Sequence, residues 1–512
     1  MHSGLLLIQA SYILALMFLN VFILSILAQA TPSIPEDARQ ALASLPGNKV
    51  SLSVVLNKSI QSSDSYKILK AQKASISLPN LEASAAFDLM TSLSVGSIDD
   101  SLEQANINAV SNLESDEYSL ELNKYLASGT ALSLDLKHSN QAFRVVSTNI
   151  PRYYETRAEL GFSQNLLKDF FGYASRRRIQ AGILDVKANE QNFNKELQVW
   201  SKNVSALFYN TWLAQAQVKT ALKSKKLRQR LVNISKRKLS RGTTERPDFL
   251  QIEASYLTSI SQFEEARIQL QDAWQKMIVL AKLPLEWMKI DALMVPMSLD
   301  DPSQFAQLLC ESNEDIINYK LEELKAKASA AKLKLAAAKN NELPDLKFNA
   351  RYITNAIDNK AQKSIADIND LHTDQWYLGM SLSYPIGNKQ AKADKMKALL
   401  NKRVTEAQYV DAQANLAVDR LALCNDFRLQ VNNRDRASRI VKKQEERARL
   451  EERRFSIGKS NVLQMIQAGD DFSQAEFNLN QAEALLRISA WEVIALVSQT
   501  ENYMQGLGVK IQ

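Results

Sequence analysis

Strict alternation of apolar and polar side chains marks several short segments of the chain as β-strands. In residues 376–384, Trp, Leu, Met, Leu and Tyr fall on one face, and Tyr, Gly and Ser lie between them. Residues 82–89, 131–137, 158–162 and 346–352 alternate in the same way. A period of two is the pattern of a strand with one apolar side. The pattern predicts about four clear strands, which fall in two regions of the chain.

Between and after these strand regions, the apolar positions follow helical spacing over very long distances. Residues 173–239 contain no proline and one glycine, Gly182, and residues 389–457 contain neither. Helices of about 65 residues would be about 100 Å long. We expect such helices to persist by packing side by side, as in coiled coils.

A glycine follows each long helix and predicts a hairpin tip. Gly242 opens the segment 242–248, and Gly458 opens the segment 458–464. Glycine ends a helix readily because it accepts the left-handed conformation, and Pro247 suits the first turn of a returning helix. The returning helices are expected to run to about Leu283 and Gln499.

The chain is an internal duplication. Leu-Pro-Asn-Leu at 78–81 reappears as Leu-Pro-Asp-Leu at 343–346, and residues 237–242 reappear at 453–458 with an offset of 216. Internal repeats of this kind predict two copies of one structural unit. Each copy has the order helix, strands, long helical hairpin. The expected segments are 1–30 (signal), 31–77 (N-terminal segment and short helix), 78–167 (strands), 168–283 (hairpin), 284–302 (linker), 303–342 (helix), 343–387 (strands), 388–499 (hairpin) and 500–512 (tail).

The N-terminal segment Gly4–Ala30 is apolar and ends in Ala28-Gln29-Ala30 before Thr31 and Pro32. This ending predicts a cleaved export signal, although no basic residue precedes the apolar run. An uncleaved transmembrane anchor is the alternative, since the run is long enough to span a bilayer. No second run of this length occurs, so a mature chain that crosses a membrane must do so with strands.

Composition and charge exclude most catalytic chemistry. The 512 residues include only three His and two Cys, and the net charge is +7. His2, His138 and His372 are far apart in sequence, so we expect no catalytic residue, no metal site and no cofactor. Cys310 and Cys424 could form a disulfide in an oxidising compartment, but two unpaired buried thiols are the favoured expectation.

Aromatic residues near the strand ends favour a membrane barrel over a soluble sheet. Phe162, Trp376, Tyr377 and Tyr384 are candidates for an aromatic girdle. About four strands per chain cannot close a barrel, because the smallest lipid-spanning barrels use eight. The open edges therefore require other subunits, and a three-fold ring would supply twelve strands.

Taken together, the chain resembles the TolC-like outer-membrane efflux proteins, the outer membrane factors. The resemblance rests on the duplicated Leu-Pro motif, on Gly-Phe-Ser-Gln-Asn-Leu-Leu-Lys-Asp-Phe-Phe-Gly at 161–172, on Leu-Ser-Tyr-Pro-Ile-Gly at 382–387 and on the two tips. It implies a mainly α chain with transmembrane β-structure, in which a homotrimer forms a twelve-stranded β-barrel and a periplasmic α-helical barrel. It also implies a passive exit duct in the outer membrane of a Gram-negative bacterium, with most of the mass in the periplasm. The implied partners are outer-membrane lipid, a periplasmic adaptor protein and an inner-membrane pump, in tripartite efflux or type I secretion. The resemblance implies no enzymatic activity and no nucleic-acid partner.

The resemblance places the channel entrance, with its gate or adaptor contact, at the tips. The candidate residues are Arg241, Gly242, Thr243, Asp248, Gln251, Gly458, Lys459, Asn461, Gln464, Gln467, Asp470 and Asp471. The family often carries two Asp residues at the second tip, where this chain has Gln464 and Gln467. We therefore expect no strong acidic ring at the entrance.

Basic residues cluster in two places. Residues 219–246 contain eleven Lys or Arg and one acid, Glu245; this run is either a solvated helix face or a contact for an acidic adaptor surface. Arg176–Arg178 and the lysines at 389, 392 and 395 either face anionic lipid head groups or are simply solvated. Two rival classes remain open, a membrane-anchored structural coiled coil and a periplasmic adaptor subunit.

Overall fold

The computed structural model describes residues 49–100, 102, 110–145, 148–242, 244–312, 317–368 and 373–511. The expected export signal at 1–30 lies outside the described residues. The described residues form two compact units, each discontinuous in sequence. The sheet unit comprises residues in 71–195 and 317–417, and the helical unit comprises the remainder.

The described elements are eleven helices, a main sheet and a few short turns. The helices are α1 Leu52–Ser62, α2 Asp64–Ala74, α3 Leu78–Ala85, α4 Tyr173–Ser240, α5 Arg246–Leu280, α6 Ser303–Glu311, α7 Tyr319–Asn340, α8 Ala361–Asp367, α9 Lys389–Ser456, α10 Val462–Leu496 and α11 Thr500–Gly506. The strands of the main sheet are β1 Leu89–Asp100, β2 Val110–Tyr125, β3 Thr130–Val145, β4 Thr148–Asn165, β5 Asp345–Asp358 and β6 Asp374–Ser383. Short 3₁₀ turns cover Phe170–Gly172, Leu285–Lys289 and Ala292–Met294. A separate two-residue parallel pairing joins Val50–Ser51 to Met297–Ser298.

The long helices agree closely with the prediction. Helices α4 and α9 each contain 68 residues, and α5 and α10 each contain 35. None of the helices in the described part of the chain is long and apolar enough to cross a membrane.

The helix predicted over 303–342 is instead two helices. The first, α6, ends at Glu311, and Ser312 is extended (φ −65°, ψ 130°). The second, α7, starts afresh after Asn318, whose side chain accepts a hydrogen bond from the Leu321 N–H at 3.0 Å. A new N-cap of this kind supplies a partner for an N–H group that a helix start leaves unpaired.

The main sheet has six strands in the order β1-β2-β3-β4-β5-β6, and every neighbouring pair is antiparallel. The expectation of about four strands per chain is therefore wrong. Strand β2 was not predicted, although Tyr118, Leu120 and Leu122 alternate with polar residues as the other strands do. The many charged side chains around this short alternation conceal it.

The strand expected at 82–89 is also wrong for most of its length. Residues 78–85 form α3, with Pro79 in its first turn, and the strand begins only at Leu89. Alanine favours helix more than any other residue, so the small residues here do not behave as an apolar strand face. A side chain at Gly182 of α4 would come within 2.9 Å of Ala83, so this glycine allows α3 to lie directly on α4.

One face of the sheet is apolar across all six strands. The register aligns Leu93 with Leu120, Leu120 with Leu136, and Phe162 with Ala350. We call this face the apolar belt. Its residues are Leu89, Leu93, Val95, Tyr118, Leu120, Leu122, Leu132, Leu134, Leu136, Ala158, Leu160, Phe162, Leu346, Phe348, Ala350, Tyr352, Trp376, Leu378, Met380 and Leu382. Most of these side chains are at least partly exposed, with Leu93 at 75% and Leu378 at 67%.

The opposite face is polar and carries most of the charge. Lys137 forms an ion pair with Glu117 at 2.9 Å, and Glu159 contacts both Arg157 (3.3 Å) and Arg351 (3.5 Å). The sheet therefore has one apolar and one hydrophilic side, and α8 packs against β4 and β5 through Ser364, which is hydrogen-bonded to Thr156 at 3.0 Å.

The passage from β4 to α4 is fixed by a buried aspartate. Asp169 has a left-handed backbone (φ 57°) and accepts hydrogen bonds from the Ser175 N–H and the Tyr125 hydroxyl, both at 2.9 Å. Burial alone would raise the pKa of Asp169, but these hydrogen bonds hold it below its ordinary value. At Gly172 (φ 74°) a side chain would lie 1.7 Å from the Ala127 carbonyl oxygen, so only glycine fits. The motif at 161–172 therefore encodes a tight turn from sheet to helix.

The helical unit is held together by aromatic and polar contacts around the linker between the repeats. Trp274 stacks on Trp287 at 6.0 Å and donates its indole N–H to the Trp287 carbonyl at 2.8 Å. The Tyr209 hydroxyl donates to Asp300 at 2.8 Å, and the Tyr503 hydroxyl donates to the other oxygen of Asp300 at 3.2 Å. Asp300 thus ties α4 of the first repeat to α11 at the end of the second.

The two cysteines are bonded to each other, which corrects the expectation of free thiols. Cys310 of α6 and Cys424 of α9 form a disulfide with a Cα–Cα distance of 5.7 Å. The bond lies in an apolar cluster with Ala306, Phe427 and Leu486. Sequence spacing could not show this, because the partners are separated by 114 residues.

Candidate functional site at the hairpin tips

Both hairpins turn through a left-handed glycine, as predicted. Gly242 has φ +69° and Gly458 has φ +78°, and a side chain at either position would meet no neighbouring atom within 4 Å. After Gly458, the Lys459 N–H donates to the Arg454 carbonyl at 2.8 Å, which closes the end of α9. Asn461 then caps α10 by accepting a hydrogen bond from the Gln464 N–H at 2.8 Å.

The ends of the two hairpins share a small apolar core. Leu231 of α4, Ile252 of α5, Phe455 of α9 and Val462 and Met465 of α10 form one buried cluster. Each hairpin contributes to this cluster, so the two tips are packed against each other within one subunit. Burial of this kind favours the packed arrangement by an amount that grows with the apolar area removed from water.

An ion pair joins the two hairpins next to this core. Arg228 of α4 forms a salt bridge with Asp470 of α10, and it also donates to the Ser255 carbonyl of α5 at 3.1 Å. The Arg228 side chain is only 11% exposed, whereas that of Asp470 is 45% exposed. Burial lowers the pKa of the Arg228 guanidinium, but arginine remains charged in proteins.

Lys238 makes a second polar contact between the repeats. Its ammonium group donates to the Phe455 carbonyl at 2.6 Å and lies 4.3 Å from the centre of the Phe455 ring. Further along, Lys223 of α4 pairs with Glu476 of α10 at 2.7 Å. The basic run at 219–246 is therefore not only a solvated face, because at least three of its members bind the other hairpin.

The two aspartates of the second tip have different partners. Asp471 pairs with Arg447 at 2.7 Å and accepts from Gln467 at 2.8 Å, and all three residues belong to the second hairpin. Asp470 instead reaches the first hairpin through Arg228. Both carboxylates are thus matched by guanidinium groups within the subunit.

The remaining tip candidates lie at the surface. The exposed residues are Arg241, Gly242, Asp248, Gln251, Gly458, Lys459, Asn461, Gln464 and Gln467. Thr243 lies outside the described residues. Their exposure leaves them available to a partner, but the structure does not bring them together into one cluster.

A polar groove runs beside the Arg228–Asp470 pair. It has a volume of about 620 Å³ and lies between α4, α5 and α10. Its walls are mainly hydroxyl and amide side chains, including Gln217, Ser224 and Gln262. Gln251 and Asp470, two of the candidate tip residues, line this groove, whereas the sequence marks Arg228 only as a member of the basic run.

The aromatic residues of the sheet divide between its two faces. Phe162 and Trp376 belong to the apolar belt, and Trp376 is 70% exposed. Tyr384 follows the end of β6 and is partly exposed. Tyr377 lies on the polar face, where the guanidinium of Arg351 is 4.6 Å from its ring centre. Tyr377 therefore cannot share a girdle with Trp376, because successive strand residues point to opposite faces.

The basic residues below the sheet are partly engaged within the subunit. Arg178 donates to Asn341 at 3.1 Å, and Lys395 pairs with Glu342 at 2.8 Å. Lys389 and Lys392 are exposed and remain candidates for contact with lipid head groups.

Across the residues that the structure describes, no three His, Cys, Asp or Glu side chains are grouped as a metal ion would need. A hydrogen bond of 2.8 Å joins the His138 Nδ1 to the Thr156 hydroxyl, and the His138 ring stacks on Tyr154. His2 and His372 lie outside the described residues.

Comparison with known proteins confirms the resemblance that the sequence suggests. Residues 317–498 match the family described as outer membrane efflux protein. No curated protein matches the chain. The structure is similar to the outer membrane protein VceC of Vibrio cholerae, with a TM-score of 0.63 and 12% identity over 87% of this chain and 96% of that one.

Two further solved structures have the same fold. The CmeC outer membrane channel of Campylobacter jejuni matches with a TM-score of 0.61 and 14% identity, over 93% of this chain and 92% of that one. The MtrE outer membrane channel of Neisseria gonorrhoeae, solved in an open state, matches with a TM-score of 0.59 and 15% identity, over 87% and 88%.

Proposed function

We propose that this chain is the subunit of an outer-membrane exit duct, a homotrimer that lets cargo leave the cell passively. One observation carries the proposal: a single subunit combines an open sheet with an exposed apolar belt and two hairpins built on 68-residue helices. The match to outer membrane efflux proteins supports it.

The apolar belt supports membrane insertion of the sheet. Soluble monomeric proteins rarely expose a contiguous apolar surface of this extent. The six strands contain between 10 and 18 residues, and a tilted strand needs about 9–11 to cross the hydrocarbon layer. In lipid the free edges must be paired, so other copies of the chain are required.

The helices support a duct that continues into the periplasm. At 1.5 Å per residue, α4 and α9 are each about 100 Å long. We assign the tips as the gate and as the surface that meets a periplasmic adaptor, which links the duct to an inner-membrane pump. The polar groove beside Arg228 suits an adaptor helix, since its hydroxyl and amide groups can pair with polar side chains. The duct would serve a tripartite efflux or a type I secretion system.

Membrane fractionation tests this proposal directly. Outer-membrane location, together with a band near three times the subunit mass that disappears on boiling, is the expected result. Inner-membrane location with no heat-sensitive oligomer would overturn it and leave the anchored coiled coil.

A matched pair of substitutions tests whether the belt faces lipid. Met380 lies in the belt and its neighbour Ser381 lies on the polar face of the same strand. A lysine facing lipid near the bilayer midplane costs about 2–4 kcal/mol. Met380→Lys should therefore reduce the heat-resistant trimer, and Ser381→Lys should not. Equal losses in both variants would speak for a sheet in water.

A further inference from the structure

We propose that the duct closes as an eighteen-stranded barrel, in which strand β1 of each copy pairs with strand β6 of the next. The inference rests on the proposed function, since it takes the homotrimer as given. It concerns the surface through which copies of this chain bind each other. Each copy supplies six strands, so three copies supply eighteen rather than the twelve expected from the resemblance.

The two additional strands are the hairpin β1–β2. The second repeat contributes two strands, β5 and β6, and β6 leads into the long helix α9. In the first repeat, β3 and β4 occupy the equivalent place, because β4 leads into the long helix α4. The first repeat therefore has two strands more than the second, and β1 and β2 form one end of the sheet.

This hairpin has the two-sided pattern of a membrane-spanning wall. Leu93 of β1 aligns with Leu120 of β2, which aligns with Leu136 of β3, so the apolar belt continues across the hairpin without interruption. Its other face is polar, with Ser94 and Ser119 hydrogen-bonded at 2.6 Å. A hairpin that lay inside the channel, or above the membrane at the outer end of the channel, would be in contact with water on both faces. A belt on one face instead indicates contact with lipid.

The two edges of the sheet match each other. Strand β1 has 12 residues and β6 has 10, and nearly all of them are exposed within the subunit. Because the six strands alternate in direction, β1 and β6 run in opposite directions. A second copy placed beside the first would therefore continue the antiparallel pattern across the junction.

Neither edge carries the features that usually prevent pairing. Natural free edges are protected by lysine, proline or inward-pointing charge. Strand β1 has acids only at its far end, Asp99 and Asp100, and β6 has only Asp374, also at its end. Neither strand contains proline or lysine. Unprotected edges of this length are suited to permanent pairing.

Continuity of the belt defines which residues face each other across the junction. Belt positions have odd numbers on β1 and even numbers on β6. Leu93 should therefore lie opposite Leu378 or Met380 of the neighbouring copy, and never opposite Tyr377. Barrel diameter grows roughly linearly with strand number, so the outer-membrane section would be about 1.5 times as wide as with twelve strands.

Cysteine cross-linking in outer-membrane fractions tests the junction. The two native cysteines are bonded to each other, so they leave no free thiol. We would combine Leu93→Cys with Leu378→Cys, and separately with Met380→Cys, then oxidise and boil the samples without reductant. The expected result in at least one pair is a shift of the monomer band to dimer and trimer, which a reductant reverses.

Two controls make the outcome decisive. Leu93→Cys with Tyr377→Cys should not cross-link, because the two side chains face opposite sides of the wall. Leu134→Cys with Met380→Cys tests a twelve-stranded barrel, in which β3 would meet β6 of the neighbour. Cross-linking of that pair, or an intact heat-sensitive trimer with no cross-link through Leu93, would overturn the inference while leaving the proposed function standing. Absence of any trimer in the parent protein would overturn both.

Discussion

Replacing Arg228 by glutamine should shift the hairpin tips toward the open state. The guanidinium joins α4 to α10 through Asp470 and to α5 through the Ser255 carbonyl. Glutamine has similar polarity and helix propensity but no charge. The substitution therefore removes this ion pair between the hairpins without disturbing the helix that carries Arg228, and it leaves the apolar core and the Lys223–Glu476 pair in place.

The size of the effect follows from the burial of the pair. An exposed ion pair contributes about 0.2–1 kcal/mol, and breaking a buried pair costs about 3–5 kcal/mol. Arg228 is nearly buried and Asp470 is half-exposed, so the pair lies between these limits. A hydrogen bond to a charged group contributes about 1.5–3 kcal/mol, which agrees with a loss of about 2 kcal/mol. That loss would raise the ratio of open to closed tips by about 30-fold, since 1.4 kcal/mol corresponds to a factor of ten.

The assay is single-channel recording of the purified protein in planar bilayers, with the open fraction as readout. Arg447→Gln is the matched control, because it breaks the Asp471 pair inside one hairpin and leaves the contact between hairpins intact. Asp470→Asn and the double variant with Arg228→Gln complete a double-mutant cycle. If the two residues act as a pair, the double variant should open little more than Arg228→Gln alone.

Three results would refute this reasoning. The first is an open fraction for Arg228→Gln close to that of the parent. The second is an equal effect of Arg447→Gln, which would point to general loosening of the tips. The third is additivity of the two single substitutions, because independent residues show no coupling energy.

Three further predictions concern stability. Cys310→Ser and Cys424→Ser should each lower the free energy of unfolding by about 2–4 kcal/mol and should therefore lower the thermal midpoint. Reductant should lower the thermal midpoint of the parent protein but not that of either variant. Tyr209→Phe should cost about 1–3 kcal/mol in denaturant titrations, because the half-buried carboxylate of Asp300 loses a hydrogen-bond donor; an unchanged midpoint would contradict this. Burial would raise the pKa of Glu323, but hydrogen bonds to Lys327 and Lys195 hold this pKa below its ordinary value. The contribution of Glu323 to folding stability is therefore complete above about pH 4.5 and is lost as the pH falls through the pKa of the folded state. Glu323→Gln should therefore be less stable than the parent at neutral pH. Its thermal midpoint should also fall less steeply than that of the parent as the pH is lowered, which thermal melts at several pH values would measure.

Several sequence-based predictions are confirmed because they rest on local properties of the chain. The absence of proline predicted both long helices to within a few residues, and the glycines at 242 and 458 predicted both turns. The alternating segments at 131–137, 158–162 and 346–352 lie within strands, and so does the segment at 376–384 except for its last residue, Tyr384. The resemblance to outer membrane efflux proteins is confirmed by the family match.

The predictions that failed concern short segments with ambiguous patterns or partners distant in sequence. Residues 82–89 alternate, but alanine and the proline at the start of the helix 78–85 make a helix more favourable than a strand over most of that segment. The disulfide between Cys310 and Cys424 and the choice of Arg228 as partner of Asp470 depend on how separate helices pack. No local pattern encodes such choices.

The sequence by itself determined the duplication, the long helices, the tips and the alternation that makes one sheet face apolar. Backbone propensity and side-chain periodicity act over a few residues, so each of these features can be read locally. Only the tertiary structure decided that the sheet has six strands, that the cysteines are bonded and that Arg228 joins the two hairpins. These features depend on which distant segments meet, and that is decided by the packing of the whole chain.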